Sequence, residues 1–318
     1  MFFLRPKISQ SLLPQDLVNI DNFSRYYDIA LAEAESEMKS IPSEKIMSLN
    51  LSKLTRRAAL ALSSAAMAGL LSTAAFAENT KVKLGIIGGE DEAVWAVAAE
   101  QAKAKGLDLE LVVFNDYTQP NEALQNGEVD ANAFQHQSYL DAQIAAHAYT
   151  ITPVGLTAVW PIGLYSKKYH TVAELPDGAI VGIPNDPANA GRALNVLAAQ
   201  GLIKLKDGAG ILATAADITE NPKNLEIKEL DAGVVGRAIE DLDAAVVNTD
   251  WALKSGLVPE TDRIAQEAVK DNPYNNFIAV KTDRKDEAWV KDLVASYQND
   301  TVKAEFDKVY KGTGISAY

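Results

Sequence analysis

The chain has 318 residues, with 30 Lys and Arg against 43 Asp and Glu, a formal net charge of −13 and an isoelectric point near 4.8. No basic stripe is present to neutralise phosphates, so nucleic-acid binding is excluded. The absence of cysteine removes disulfides, thiolate nucleophiles, cysteine-held metals and the residue that takes the lipid in bacterial lipoproteins, so no lipid anchor is expected. With three histidines in all, no metal or cofactor is expected either.

Residues 1–46 mix charged and aromatic side chains without periodicity. They are expected to lie outside the natural product, with translation starting at Met47, or to stay disordered; a genuine N-terminal extension is the alternative. Residues 47–77 read as a cleavable signal peptide. Lys53, Arg56 and Arg57 supply the charge, 58–71 the apolar core, and Ala75-Phe76-Ala77 the cleavage site before Glu78. The core falls short of the ~20 residues of a spanning helix. Arg56-Arg57 after Thr55 resembles a twin-arginine signal, but Ala59 stands where that motif prefers a large apolar residue. Twin-arginine and general secretory export both remain open, and either leads to a periplasmic location.

Past Ala77 the chain is long enough for one large or two small domains. Predicted strands at 81–87, 107–114 and 129–134 alternate with helices at 91–105, 121–126 and 139–146, the pattern of a mostly parallel sheet covered on both faces. Residues 150–166 are apolar, aromatic and broken by Pro153 and Pro161, as expected of extended chain passing between lobes. A second unit follows, with strands at 179–183, 225–229 and 244–247, a helix at 188–200 capped by Gly201, and a helix at 234–241. From Trp251 onward helix dominates, apart from a strand at 277–280. The expected architecture is α/β with two lobes, 78–165 plus 251–318 forming lobe I and 166–250 lobe II. Two extended hinge segments, near 160–166 and 247–251, flank a ligand cleft where strand ends and helix N-termini converge.

Three stretches carry candidate chemistry. In Pro184-Asn185-Asp186-Pro187-Ala188-Asn189-Ala190-Gly191-Arg192, Asp186 suits the N-cap and Pro187 the first helical position. Arg192 then lies near the helix start, where the dipole disfavours a cation. A bound carboxylate offsets that cost; the alternative is an arginine facing solvent. Phe134, His136 and Tyr139 lie at a strand-to-helix junction, and Tyr117 follows the preceding strand, so together they suit an aromatic slot for an apolar side chain. The alternative is ordinary core for Phe134 and a surface place for His136. Asn248 ends a strand, either accepting a hydrogen bond from an ammonium group or simply forming a turn.

Asp130-Ala131-Asn132-Ala133-Phe134-Gln135-His136, Tyr139-Leu140-Asp141, the Pro184 turn with Gly191-Arg192, Gly201-Leu202-Ile203-Lys204-Leu205-Lys206-Asp207-Gly208 and Glu220-Asn221-Pro222-Lys223-Asn224-Leu225 occur here in one order. In that order they resemble the methionine-binding (NlpA/MetQ-type) substrate-binding proteins of ABC importers. The likeness runs from about residue 81 to the C-terminus. It implies a type II-like periplasmic-binding-protein fold, L- or D-methionine or a methionyl dipeptide in the cleft, and delivery to a permease with a cytoplasmic ATPase. Position by position it implies Arg192 on the ligand carboxylate, Asn189 beside it and Asn248 at the head group. Tyr117, Phe134, His136 and Tyr139 would then line the side-chain pocket. Ser138 stands where the family usually has Pro. Asp250-Trp251 stands where it more often has a smaller or neutral polar residue and then Tyr, which brings a carboxylate and an indole toward the ammonium site.

The expected function is therefore a periplasmic carrier of methionine or a close relative, and not an enzyme. Two alternatives stand beside it. A periplasmic lyase or dehydratase on the same fold needs a general acid or base, for which His136 is the candidate. An exported interaction protein that has lost transport is the other.

Overall fold

A computed structural model describes residues 79–318; the expected export signal and the 1–46 segment lie outside the described residues. The chain opens with β1 (Thr80–Ile87), α1 (Asp91–Lys103), β2 (Leu107–Phe114), α2 (Gln119–Asn126), β3 (Ala131–His136), α3 (Gln137–His147) and β4 (Ile151–Leu156). β1 pairs in parallel with β2 and β3. Val82, Leu84 and Ile86 alternate into the core, where they meet Val94, Trp95, Ala98 and Ala102 of α1. A strand of period two and a helix of period 3.6 thus cover one another's apolar faces.

The chain leaves this lobe through 157–162, which include β5 (Ala158–Val159), and enters a second sheet at β6 (Gly163–Tyr165). There follow β7 (Ile180–Pro184), α4 (Pro187–Ala199), the paired β8 (Lys204–Leu205) and β9 (Ile218–Glu220), β10 (Glu226–Leu230), α5 (Ala232–Val235) and β11 (Ala244–Val247). After α6 (Thr249–Lys254) and α7 (Pro259–Asp262), β12 (Arg263–Gln266) closes the second lobe. Residues 267–275 lead back to β13 (Asn276–Lys281), α8 (Ala288–Tyr297), α9 (Asp300–Tyr310) and β14 (Ile315–Ser316), which pairs with β5. The two large sheets have the orders β2-β1-β3-β13-β4 and β10-β7-β11-β6-β12.

Several expectations need correction. The lobe boundaries fall elsewhere, because β6 and β12 both belong to the second sheet, where β12 pairs with β6 antiparallel. The second crossing is accordingly 267–275, not 247–251. A four-residue, half-buried strand such as β12 shows no alternation long enough to read from sequence. Around Thr249 the chain instead forms a bridging helix, α6. Its Leu253 packs on the first lobe's core, while Trp251 and Ala252 join a cluster shared by Ile87 of β1 and Val247 of β11. The helix expected at 234–241 is only the single turn α5 followed by a 3-10 turn at Ile239–Asp241. A Cβ at Gly236 would lie 2.6 Å from Ser255 Oγ, so close packing against α6 shapes this segment.

Candidate ligand-binding cleft

Between the lobes lies an open cavity of about 670 Å³, and all seven side chains singled out from sequence line it. The ends of β1, β2, β3 and β11 and the start of α4 converge here, because parallel strands deliver their following loops to one edge of a sheet.

Arg192 is buried, 3% exposed, and already paired. Its Nε donates to Glu267 Oε2 at 2.8 Å, its Nη2 donates to Glu267 Oε1 and, at 2.8 Å, to the Trp160 carbonyl. Its guanidinium also stacks over Tyr274, 4.2 Å from the ring centre. The cation near a helix start is thus offset first by a protein carboxylate. Glu267 is itself fixed at the place where the crossings touch, accepting from the Ile162 amide at 3.1 Å and from Asn272 Nδ2 at 2.8 Å. The Nη1 hydrogens of Arg192 have no partner among the described residues.

Asp186 caps α4 as the sequence suggests, accepting from the Asn189 amide at 2.9 Å. It also accepts from Asn189 Nδ2. That orients Asn189 Oδ1, which accepts from Asn248 Nδ2 at 3.0 Å and faces His136 Nε2 at 3.4 Å. Both ends of the Asn189 amide are therefore occupied. Asn248 is 8% exposed, and its Oδ1 is buried with no hydrogen-bond partner. His136 is not at the surface, being 5% exposed. Its Nδ1 accepts from the Tyr139 amide at 3.2 Å, capping α3, and lies 2.9 Å from Ser138 Oγ. With an amide donor fixed on Nδ1, the proton sits on Nε2 and points to Asn189. Burial, aided by the nearby Arg192 charge, pushes the His136 pKa down to about 3. A ring that stays neutral, with its basic nitrogen committed to a cap, is unsuited to general-base work near neutral pH.

Tyr117 touches Phe134 and Tyr139 with ring centres 6.0 Å apart, and Phe134 meets Tyr139 edge-on at 5.7 Å. Trp251 does not line the cavity; it lies behind Tyr117 with ring centres 5.5 Å apart. The Tyr117 hydroxyl, carried by the first lobe, donates to Asp250 of the second, 2.7 Å from each carboxylate oxygen. Burial raises the Asp250 pKa. Asp91, at the start of α1, accepts from Trp95 Nε1 at 3.0 Å and Tyr310 OH at 3.4 Å, and burial pushes its pKa up to about 7. Both carboxylates retain some accessible surface, which opens onto the cavity that they line.

Sequence reasoning missed Asp91, Trp160, Asn276 and Tyr310, which line the cavity, and Glu267 and Tyr274 behind Arg192. Asp91 carried a usable signal, since it opens a helix directly after the Gly88-Gly89 strand end. Glu267, in an irregular stretch, carried none.

The sequence profile of the NlpA lipoprotein family matches residues 82–318. The chain belongs to that family. The D-methionine-binding lipoprotein MetQ of Salmonella typhimurium is 47% identical over 260 residues, 80% of this chain and 96% of the Salmonella one. Outer membrane lipoprotein 3 of Mannheimia haemolytica is 44% identical over 80% of this chain and 96% of its own. A nutrient-binding protein from Burkholderia cenocepacia, solved bound to methionine, superposes with a TM-score of 0.73 at 48% identity, covering 74% of this chain and all of that one. The Burkholderia protein shares the two-lobed fold. Two of these relatives are named lipoproteins, which runs against the expectation of no lipid anchor, whereas this chain contains no cysteine. Among the described residues, no helix is long and apolar enough to cross a membrane.

Proposed function

We propose that the chain is the substrate-binding protein of an ABC importer and takes methionine or a close relative in the cleft. The observation that carries this reading is the orphaned Asn248 Oδ1 together with Arg192, whose Nη1 has no partner among the described residues, in one aromatic-walled cavity between two lobes. Arg192 holds the ligand carboxylate through Nη1 while Glu267 keeps the guanidinium in place. Asn248 Oδ1 accepts from the ammonium, and Asn189 orients Asn248 and His136 without needing to touch the ligand. Tyr117, Phe134, His136 and Tyr139 wall the slot for a thioether, whose polarisable sulfur packs well on aromatic edges. The lobes close by hinge motion about 157–162 and 267–275.

The names of the NlpA relatives and the methionine-bound Burkholderia structure support this reading. The carrier works in the periplasm and hands its ligand to a permease with a cytoplasmic ATPase. Calorimetry on protein stripped of ligand by unfolding and refolding tests the reading. L-methionine, D-methionine and a methionyl dipeptide are titrated in turn, and saturable heat is expected from at least one. No heat and no thermal shift from any of the three would overturn it.

A further inference from the structure

We infer that Asp250 is a specificity-determining residue, the anionic partner of the ligand's cationic amine; this rests on the reading of the cleft as an amino-acid site. Charge balance is the first ground. Among the described residues, the one cation lining the cavity, Arg192, is already matched by Glu267. The remaining ionisable carboxyls on the wall, Glu90, Asp91 and Asp250, have no cation within it. Lys254, one helical turn beyond Asp250, acts on it at a distance without lining the cavity; its ammonium lies over the Trp251 ring at 4.7 Å and donates to Asn115 Oδ1 at 3.3 Å. A ligand carboxylate entering beside Arg192 adds further negative charge, so the ligand has to bring a cation of its own.

Local geometry selects Asp250 among the three. Asp91 already takes two fixed donors, Trp95 Nε1 and Tyr310 OH, both from its own lobe. Asp250 has a single side-chain donor, the Tyr117 hydroxyl, which its two oxygens share. Two residues before it, Asn248 Oδ1 is buried without a partner and lines the same cavity. Asn248 Oδ1 has no donor, and Asp250, with Tyr117 and the backbone amides of Trp251 and Asp250 as its donors, keeps acceptor capacity beside it; both suit an ammonium group, which has three N–H donors and no acceptor. The Tyr117 bond spans the lobes, so the amine would complete a site that both lobes build.

A buried carboxylate is poorly solvated, so the Asp250 charge costs the fold stability until a cationic amine pairs with it. Its replacement by Asn should therefore weaken binding without weakening the fold, the reverse of what a structural residue does. The experiment titrates L-methionine and its 2-hydroxy analogue, which keeps the thioether and carboxylate but carries no cation, into the wild type, Asp250→Asn and Tyr117→Phe, with thermal unfolding of each. The wild type is expected to prefer methionine by about 100-fold, and Asp250→Asn to lose about 10- to 100-fold for methionine, the range of a charge-assisted hydrogen bond. The hydroxy analogue should change by less than about threefold in that variant, with Tm equal to or above wild type. Tyr117→Phe removes the side-chain donor to Asp250 and alters the wall of the slot, so it should weaken binding of both ligands, with a preference for the amine above that of Asp250→Asn. Asp250→Asn retaining full affinity and discrimination would overturn the inference. So would equal loss of both ligands with a lowered Tm, which marks a structural role. Wild-type protein that binds neither ligand would instead remove the reading of the cleft on which the inference rests.

Discussion

Removing Arg192 should harm the fold as well as the site, and the two losses can be separated. Arg192→Ala leaves Glu267, whose side chain is 11% exposed, as a buried carboxylate without its counter-charge. Breaking a buried pair from one side costs about 3–5 kcal/mol, and the orphaned Trp160 carbonyl adds about 1 kcal/mol. For a domain of this size each kcal/mol is worth about 2–4 °C in Tm, so a fall of roughly 8–24 °C is expected. Glu267→Gln keeps an acceptor for the guanidinium and should cost less. In Arg192→Met/Glu267→Gln both charges are gone and the volume is nearly kept, so most of the stability should return. Urea unfolding of ligand-free wild type, Arg192→Met, Glu267→Gln and Arg192→Met/Glu267→Gln gives the coupling energy, expected at about 2 kcal/mol or more. Methionine calorimetry on the double variant should show no binding despite its stability. Additive effects, with coupling below about 0.5 kcal/mol, would refute the claim that Glu267 is the resident counter-ion. Methionine binding by the stable double variant would refute the carboxylate role of Arg192.

The remaining predictions concern pH and backbone packing. Asp91, raised from 3.8 to about 7, contributes stability at low pH that is lost as pH rises through that window. His136, lowered from 6.5 to about 3, contributes stability above 6.5 that is lost as pH falls through its own window. Each is worth at most about 5 kcal/mol, and in wild-type protein they oppose one another between pH 4 and 6.5. Asp91→Asn should therefore be more stable than wild type at pH 8 and lose that advantage by about pH 5; a difference in Tm that does not change with pH would contradict this. Gly191→Ala places a methyl against the Ile211 carbonyl oxygen and within 2.9 Å of the Ala213 amide nitrogen. Backbone has to move, at a cost of about 1–3 kcal/mol by urea unfolding, and calorimetry should show weaker binding because Arg192 is the next residue. Unchanged stability and affinity would show that the 210–213 loop yields freely.

The sequence by itself determined the features that depend on neighbours a few residues away. The strand and helix alternation follows from apolar period, the start of α4 from Asp186 and Pro187, and the places of Tyr117, Phe134, His136, Tyr139, Asn189, Arg192 and Asn248 at strand ends and a helix start from the same patterns, while the family resemblance implied that they share one site. Capping, period and turn chemistry act over one or two turns of chain, so they can be read along it. Only the tertiary structure decided how those residues are charged and partnered. Glu267 meets Arg192 across 75 residues and Asp250 meets Tyr117 across 133, while β12 is strand only because β6 offers it an edge. Those pairings come from the packing of two lobes, and no local pattern encodes which carboxylate a buried cation will find.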